Sequence, residues 1–113
     1  MRLKESREGQ IIIYELSGKI MGGDEVFELC NQIKKHITNN ESNIVVDLAE
    51  VEWTNSCGLG MLIGTHISAS RAGGRLALAN VDTIMKLLKM SRLVEILNIY
   101  DSREEAVESF LVV

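Results

Sequence analysis

The residues with chemical potential gather in one stretch, Glu52-Trp53-Thr54-Asn55-Ser56-Cys57-Gly58-Leu59-Gly60-Met61-Leu62-Ile63-Gly64. It sets an amide, a hydroxyl and a thiol side by side, with two glycines close behind. Three chemistries compete for such a set. The first is phosphate binding in a nucleotide site. Gly58 and Gly60 match the first two glycines of a G-x-G-x-x-G turn, but Gly64 falls one residue too late, and no Gly-Lys-Ser or Gly-Lys-Thr is present. The second is nucleophilic catalysis by Cys57. A thiol at a helix start is expected to ionise more readily, yet it needs a base. His66 lies more than two turns further on, and only His36, elsewhere in the chain, is left. Read as structure, Cys57 is a small side chain packed at a helix start. The third chemistry makes Ser56 a phosphoacceptor, offered where free N–H groups and the helix dipole tolerate an anion. The alternative is a plain N-cap, with the Ser56 hydroxyl accepting an N–H bond from the next turn.

These residues need a frame, and the hydrophobic pattern predicts one. Gln10 to Ser17, with Ile11-Ile12-Ile13-Tyr14 and Leu16, reads as a strand. A short strand around Leu3 precedes it. Asp24 to Thr38 is a helix after a Gly22-Gly23 turn, with Asp24 as N-cap and Val26, Phe27, Leu29, Cys30, Ile33 and Ile37 on its inner face. Cys30 is therefore a core residue. Asn43 to Leu48, with Ile44-Val45-Val46, reads as a central strand, and Ala49 to Asn55 as a loop. A helix runs from Ser56 or Cys57 to Arg71, with Leu59, Leu62, Ile63 and Ile67 as its apolar positions, and closes on Gly73-Gly74. Arg75 to Ala79 is a strand, Asp82 to Lys89 a short helix, and Val94 to Tyr100 a last strand. Ser102-Arg103-Glu104-Glu105 is a capping box opening a helix with Val107, Phe110 and Leu111.

Strands that alternate with helices imply a mostly parallel sheet with right-handed crossovers. The fold class is thus α/β: one domain, a mixed and mostly parallel sheet, and about four helices. Asn55, Ser56 and Cys57 stand where the third strand hands over to a helix, the end of an open α/β sheet at which ligands collect.

Composition narrows the function. A chain of 113 residues is one domain. Its 12 basic and 16 acidic residues give a net charge of -4, which excludes a fold-wide basic field for nucleic acid and a polybasic membrane patch. Two cysteines, Cys30 and Cys57, make no disulfide framework. The charged N-terminus carries no apolar signal core, and no stretch is long enough to span a membrane. A reduced, cytoplasmic protein is expected. No His/Asp/Glu/Cys set shows ligand spacing, so no metal is expected, and no cofactor either. Asp47, Glu50 and Glu52 read as a solvated acidic loop, Trp53 as partly buried, and Met61, Met85 and Met90 as core filler.

The segment Asn55-Ser56-Cys57-Gly58-Leu59-Gly60, after Val45-Val46-Asp47-Leu48-Ala49-Glu50-Val51, resembles the signature of STAS domains. It is most similar to the bacterial anti-sigma factor antagonists, in which the signature runs Asp-Ser-Ser/Ala-Gly-Leu-Gly. Leu16-Ser17-Gly18-Lys19-Ile20, Ala72-Gly73-Gly74-Arg75-Leu76 and Ile99-Tyr100-Asp101-Ser102 resemble flanking motifs of the same family, so the likeness spans nearly the whole chain. It departs at Asn55, where the usual residue is aspartate, and at Met21, where many members carry an acid.

The resemblance implies a binding switch and no enzyme. Ser56 would be phosphorylated by an anti-sigma factor serine kinase and restored by a PP2C-type phosphatase. Met21, Asn55, Ser56, Cys57, Gly58, Leu59 and Gly60 would meet the partner. Of the two glycines, Gly58 is expected to serve docking and Gly60 to serve packing. The other reading is a STAS scaffold or small-ligand sensor that is never phosphorylated.

Overall fold

The computed structural model describes residues 1–111. Strands β1 (Arg2–Glu8) and β2 (Ile11–Ile20) form an antiparallel hairpin, followed by helix α1 (Asp24–Thr38), strand β3 (Asn43–Thr54) and helix α2 (Ser56–Arg71). Strand β4 (Arg75–Ala79), helix α3 (Met85–Met90), strand β5 (Asn98–Tyr100) and helix α4 (Arg103–Glu108) complete the chain, with 3-10 turns at Asp82–Ile84 and Leu93–Glu95. The sheet order is β1-β2-β3-β4-β5, parallel in every pair after the first. The α/β class and the mixed, mostly parallel sheet agree with the pattern of the sequence.

Strand periodicity assigns the two faces. Ile12, Tyr14, Leu16, Ile44, Val46, Leu48, Leu76 and Leu78 point to one side, where Leu29 and Ile33 of α1, Leu59 and Leu62 of α2 and Leu88 of α3 cover them. Ile11, Ile13, Val45, Ala77 and Ala79 point to the other side, where α4 lays down Ala106 and Val107. Small residues on β4 let that short helix sit close. A continuous apolar run in β3 is what burial on both faces requires.

Several local expectations change. The stretch 49–54 is strand, because β3 bulges twice against β2: register shifts fall between Glu15 and Ser17 and between Gly18 and Lys19. Each bulge inserts a residue and breaks the period of two, so the buried positions run Leu48, Val51, Thr54. β2 continues through Gly18 to Ile20. Asp24 is the first helical residue; the cap position is Gly23, with no side-chain cap. Phe27, expected inward, is 68% exposed. The last strand shortens to Asn98–Tyr100, since Leu93–Glu95 turns instead.

Other expectations hold. α2 ends in a Schellman motif: the Gly74 N–H donates to the Ala69 carbonyl at 2.9 Å and the Gly73 N–H to the Ser70 carbonyl at 3.1 Å. Gly73 has φ +85, a conformation that favours glycine. Ser102 caps α4, its hydroxyl accepting from the Glu105 N–H at 3.1 Å.

Candidate functional site

Helices α1 and α2 both begin at the carboxyl ends of parallel strands, and the turn before α1 is stitched to the start of α2. The stitch is Asn55. Its backbone is extended, at φ -111 and ψ -172, which is the geometry of an N-cap. Its Oδ1 accepts from the Cys57 N–H at 3.0 Å and the Gly58 N–H at 3.2 Å. Its Nδ2 donates to the Met21 carbonyl at 2.7 Å. An aspartate could make the cap but could not donate to Met21. The asparagine at this position therefore does what a carboxylate cannot.

Ser56 is consequently not the cap. It is the first helical residue, exposed, and its hydroxyl makes no hydrogen bond among the described residues. Two of the free N–H groups of the helix start are taken by Asn55, while the dipole still points at Ser56. Cys57 is also exposed, and its side chain lies against the backbone of Gly22. A Cβ on Gly22 would stand 2.8 Å from the Cys57 Cβ, and Gly22 has φ +92. Space and backbone both exclude a larger residue there. Met21 projects beside this contact, 61% exposed. The structure thus brings Met21, Asn55, Ser56 and Cys57 together.

Gly58 and Leu59 are corrected. Both are buried, so neither is a surface for contact. A Cβ on Gly58 would run into Thr54 Oγ1 and approach Ile20 Cγ2 to 3.0 Å. Gly58 is the packing glycine, and the expectation that it serves docking is reversed. Gly60 is exposed and a Cβ there would meet nothing within 4 Å, so packing does not explain it. Thr54 is 3% exposed and donates to the Ile20 carbonyl at 3.2 Å. It seats the start of α2 on the end of β2. Its only sequence signal was a polar residue in an apolar parity that the two bulges conceal.

The cysteine-nucleophile reading finds no base. His36 is bonded through both ring nitrogens, to Glu41 and to Glu5, each at 3.1 Å. Burial lowers its pKa, and the hydrogen bonds to Glu41 and then Glu5 outweigh burial, so the net shift is upward. Cys30 is only half-buried, on the groove between α1 and α2, and burial pushes its thiol pKa up, against a smaller opposite pull from Lys34. Asp47 is no loop acid: its Oδ1 accepts from the Ala49 N–H and from Asn80 Nδ2. Trp53 is 48% exposed and Met90 73%, while Met61 is core as expected. No group of three His, Cys, Asp or Glu residues is placed to hold a metal among the described residues. No helix among them is long and apolar enough to cross a membrane.

Comparison with known proteins adds the following. The sequence model of the STAS domain matches residues 4–106. An anti-sigma F factor antagonist of Paenibacillus polymyxa is 33% identical over 72 residues, covering 63% of this chain and 62% of that protein. The aligned part thus spans less than two thirds of that relative. A Thermotoga maritima protein, described as a candidate anti-sigma factor antagonist, superposes with a TM-score of 0.86 at 21% identity, over 95% of this chain and 92% of that one. The Bacillus cell fate determinant SpoIIAA in its phosphorylated form superposes at 0.77 with 19% identity, over 96% and 99%. At such identities the structures establish a shared fold.

Proposed function

Because the chain belongs to the STAS domain family, matched over residues 4–106, we propose that it is an anti-sigma factor antagonist switched by phosphorylation of Ser56. Unphosphorylated, it binds a serine-kinase anti-sigma factor and frees the sigma factor. The kinase transfers phosphate from its own ATP to Ser56, and a PP2C-type phosphatase removes it. The chain acts by binding and supplies no catalytic step of its own.

One observation carries this reading. Asn55 takes the capping duty and leaves the Ser56 hydroxyl free at an exposed helix start. A kinase can reach such a hydroxyl without unfolding the helix. The phosphate adds about -1.5 to -2 charge. The helix dipole tolerates it, so folding is spared. Docking is not spared. The neighbours held at the site are the apolar Met21 and the small Cys57, and neither offers a cation. Desolvating a phosphate against such a surface costs several kcal/mol, on the order of a thousandfold in affinity.

The test is labelling with the kinase and ATP. Label should appear on Ser56 and vanish in Ser56→Ala. That variant should fold like the parent, because the cap is Asn55. Label that persists in Ser56→Ala would refute the assignment, with Thr54 buried and Ser102 engaged as a cap elsewhere. The second reading, a small-ligand sensor, is favoured by the open groove of about 270 Å³ between α1 and α2, floored by Cys30, Ile33 and Met61.

A further inference from the structure

Beside the end of β3 lies a second groove, which the Ser56 switch does not use. It has a volume of about 180 Å³ and is walled by Trp53, Ile84, Leu87 and Met90, with Lys86 at its rim. Trp53 and Met90 are large apolar side chains left in water, 48% and 73% exposed. The rim is cationic. Lys19 stands opposite Trp53 in the β2–β3 ladder, so the two share a face. Lys86, Lys89 and Met90 follow one another at i, i+3 and i+4 on α3, one side of that helix. None of the three lysines forms an ion pair among the described residues. The stretch 82–92 carries Lys86, Lys89 and Arg92 against the single acid Asp82, in a chain of net charge -4. Cations are thus concentrated where the apolar surface is open.

We propose that this groove docks an acidic amphipathic segment of a protein partner. One large apolar side chain enters between Trp53 and Met90, and carboxylates flanking it meet Lys19, Lys86 and Lys89. The shape is concave and takes a side chain, whereas a bilayer needs a convex or flat apolar face. Only three of the basic residues, Lys86, Lys89 and Arg92, lie on one segment, short of the four to eight that hold a segment to anionic lipid. The site goes beyond the phosphorylation switch and does not depend on it.

Trp53 is the only tryptophan in the chain, so its fluorescence reports the groove directly. The probe is a short helical peptide with leucines on one face and glutamates beside them, free of tryptophan and tyrosine. Added to the full chain, it should shift Trp53 emission to the blue and saturate. Lys86→Glu/Lys89→Glu should weaken that binding by about tenfold, because each exposed pair is lost and replaced by repulsion. Met90→Ser should weaken it as well, and both variants should keep the parental urea midpoint, since these side chains are exposed. Three results would overturn the proposal: no spectral shift, equal affinity for the same peptide with lysines in place of glutamates, or a shift produced only by phosphatidylglycerol vesicles. The Ser56 reading stands or falls separately, on kinase labelling.

Discussion

Alanine at Gly58 and alanine at Gly60 should move stability in opposite directions, although a single residue, Leu59, separates them on one helix. The Gly58 Cβ would collide with Thr54 Oγ1 and stand 3.0 Å from Ile20 Cγ2 and 3.3 Å from the Thr54 Cβ. Thr54 is branched at Cβ and 3% exposed, so it cannot swing aside freely. To make room it must give up the hydrogen bond to the Ile20 carbonyl. Overpacking of this kind costs about 1–3 kcal/mol, and the lost hydrogen bond about 1 more. Better helix propensity returns at most about 1. The net loss is about 1–3 kcal/mol, a fall in Tm of roughly 4 °C for each kcal/mol. Gly60→Ala meets no atom within 4 Å and should gain about 0.5–1 kcal/mol from propensity alone. Urea midpoints measured side by side give both signs, with the denaturant slope unchanged. Thr54→Ala in the Gly58→Ala background should recover part of the loss, since the two sites share one space. Midpoints that move together, or a Gly58→Ala protein as stable as the parent, would refute this account of how the helix start is seated.

Asn55→Ala should cost about 1–2 kcal/mol in a urea melt, since one side chain caps two N–H groups, and partner affinity should fall further than stability does because Met21 loses its tie. Ser56→Asp should leave the thermal midpoint within a few degrees, as a carboxylate suits a helix N-terminus, while an isotherm with the kinase shows a sharp loss; a large drop in Tm would mean that the position is not free. The His36 cluster should make stability depend on pH. His36 is shifted up from 6.5, so its contribution is complete below 6.5 and fades as pH rises through the folded value. Glu41 is shifted down from 4.5, through hydrogen bonds to Arg7 and then His36, so its contribution fades only as pH falls through its folded value. The Tm difference between the parent and His36→Gln should therefore be greatest between pH 4.5 and 6.5 and shrink above it. Alkylation followed by mass spectrometry should mark exposed Cys57 before Cys30, whose thiol is held protonated by burial.

The class of the fold was legible in residue order, because alternation in strands and spacing in helices follow from backbone geometry. The candidate site was legible there too: the Asn55-Ser56-Cys57 handover, the Gly73 helix stop and the Ser102 cap are local geometries with local residue requirements. Other properties belong to the tertiary structure, because each depends on an atom supplied by a distant element. β3 reaches Thr54 because β2 lies alongside to pair with it, and its two bulges hide the period that would have revealed it. Asn55 rather than Ser56 caps α2 because the Met21 carbonyl draws the amide into place. Phe27 faces outward although its spacing fits the inner stripe. Gly58 and Gly60 look alike in the chain and differ only in what stands opposite them, Thr54 and Ile20 in one case and open space in the other. A cap needs a backbone angle and a clash needs a neighbour, and neither is written in residue order.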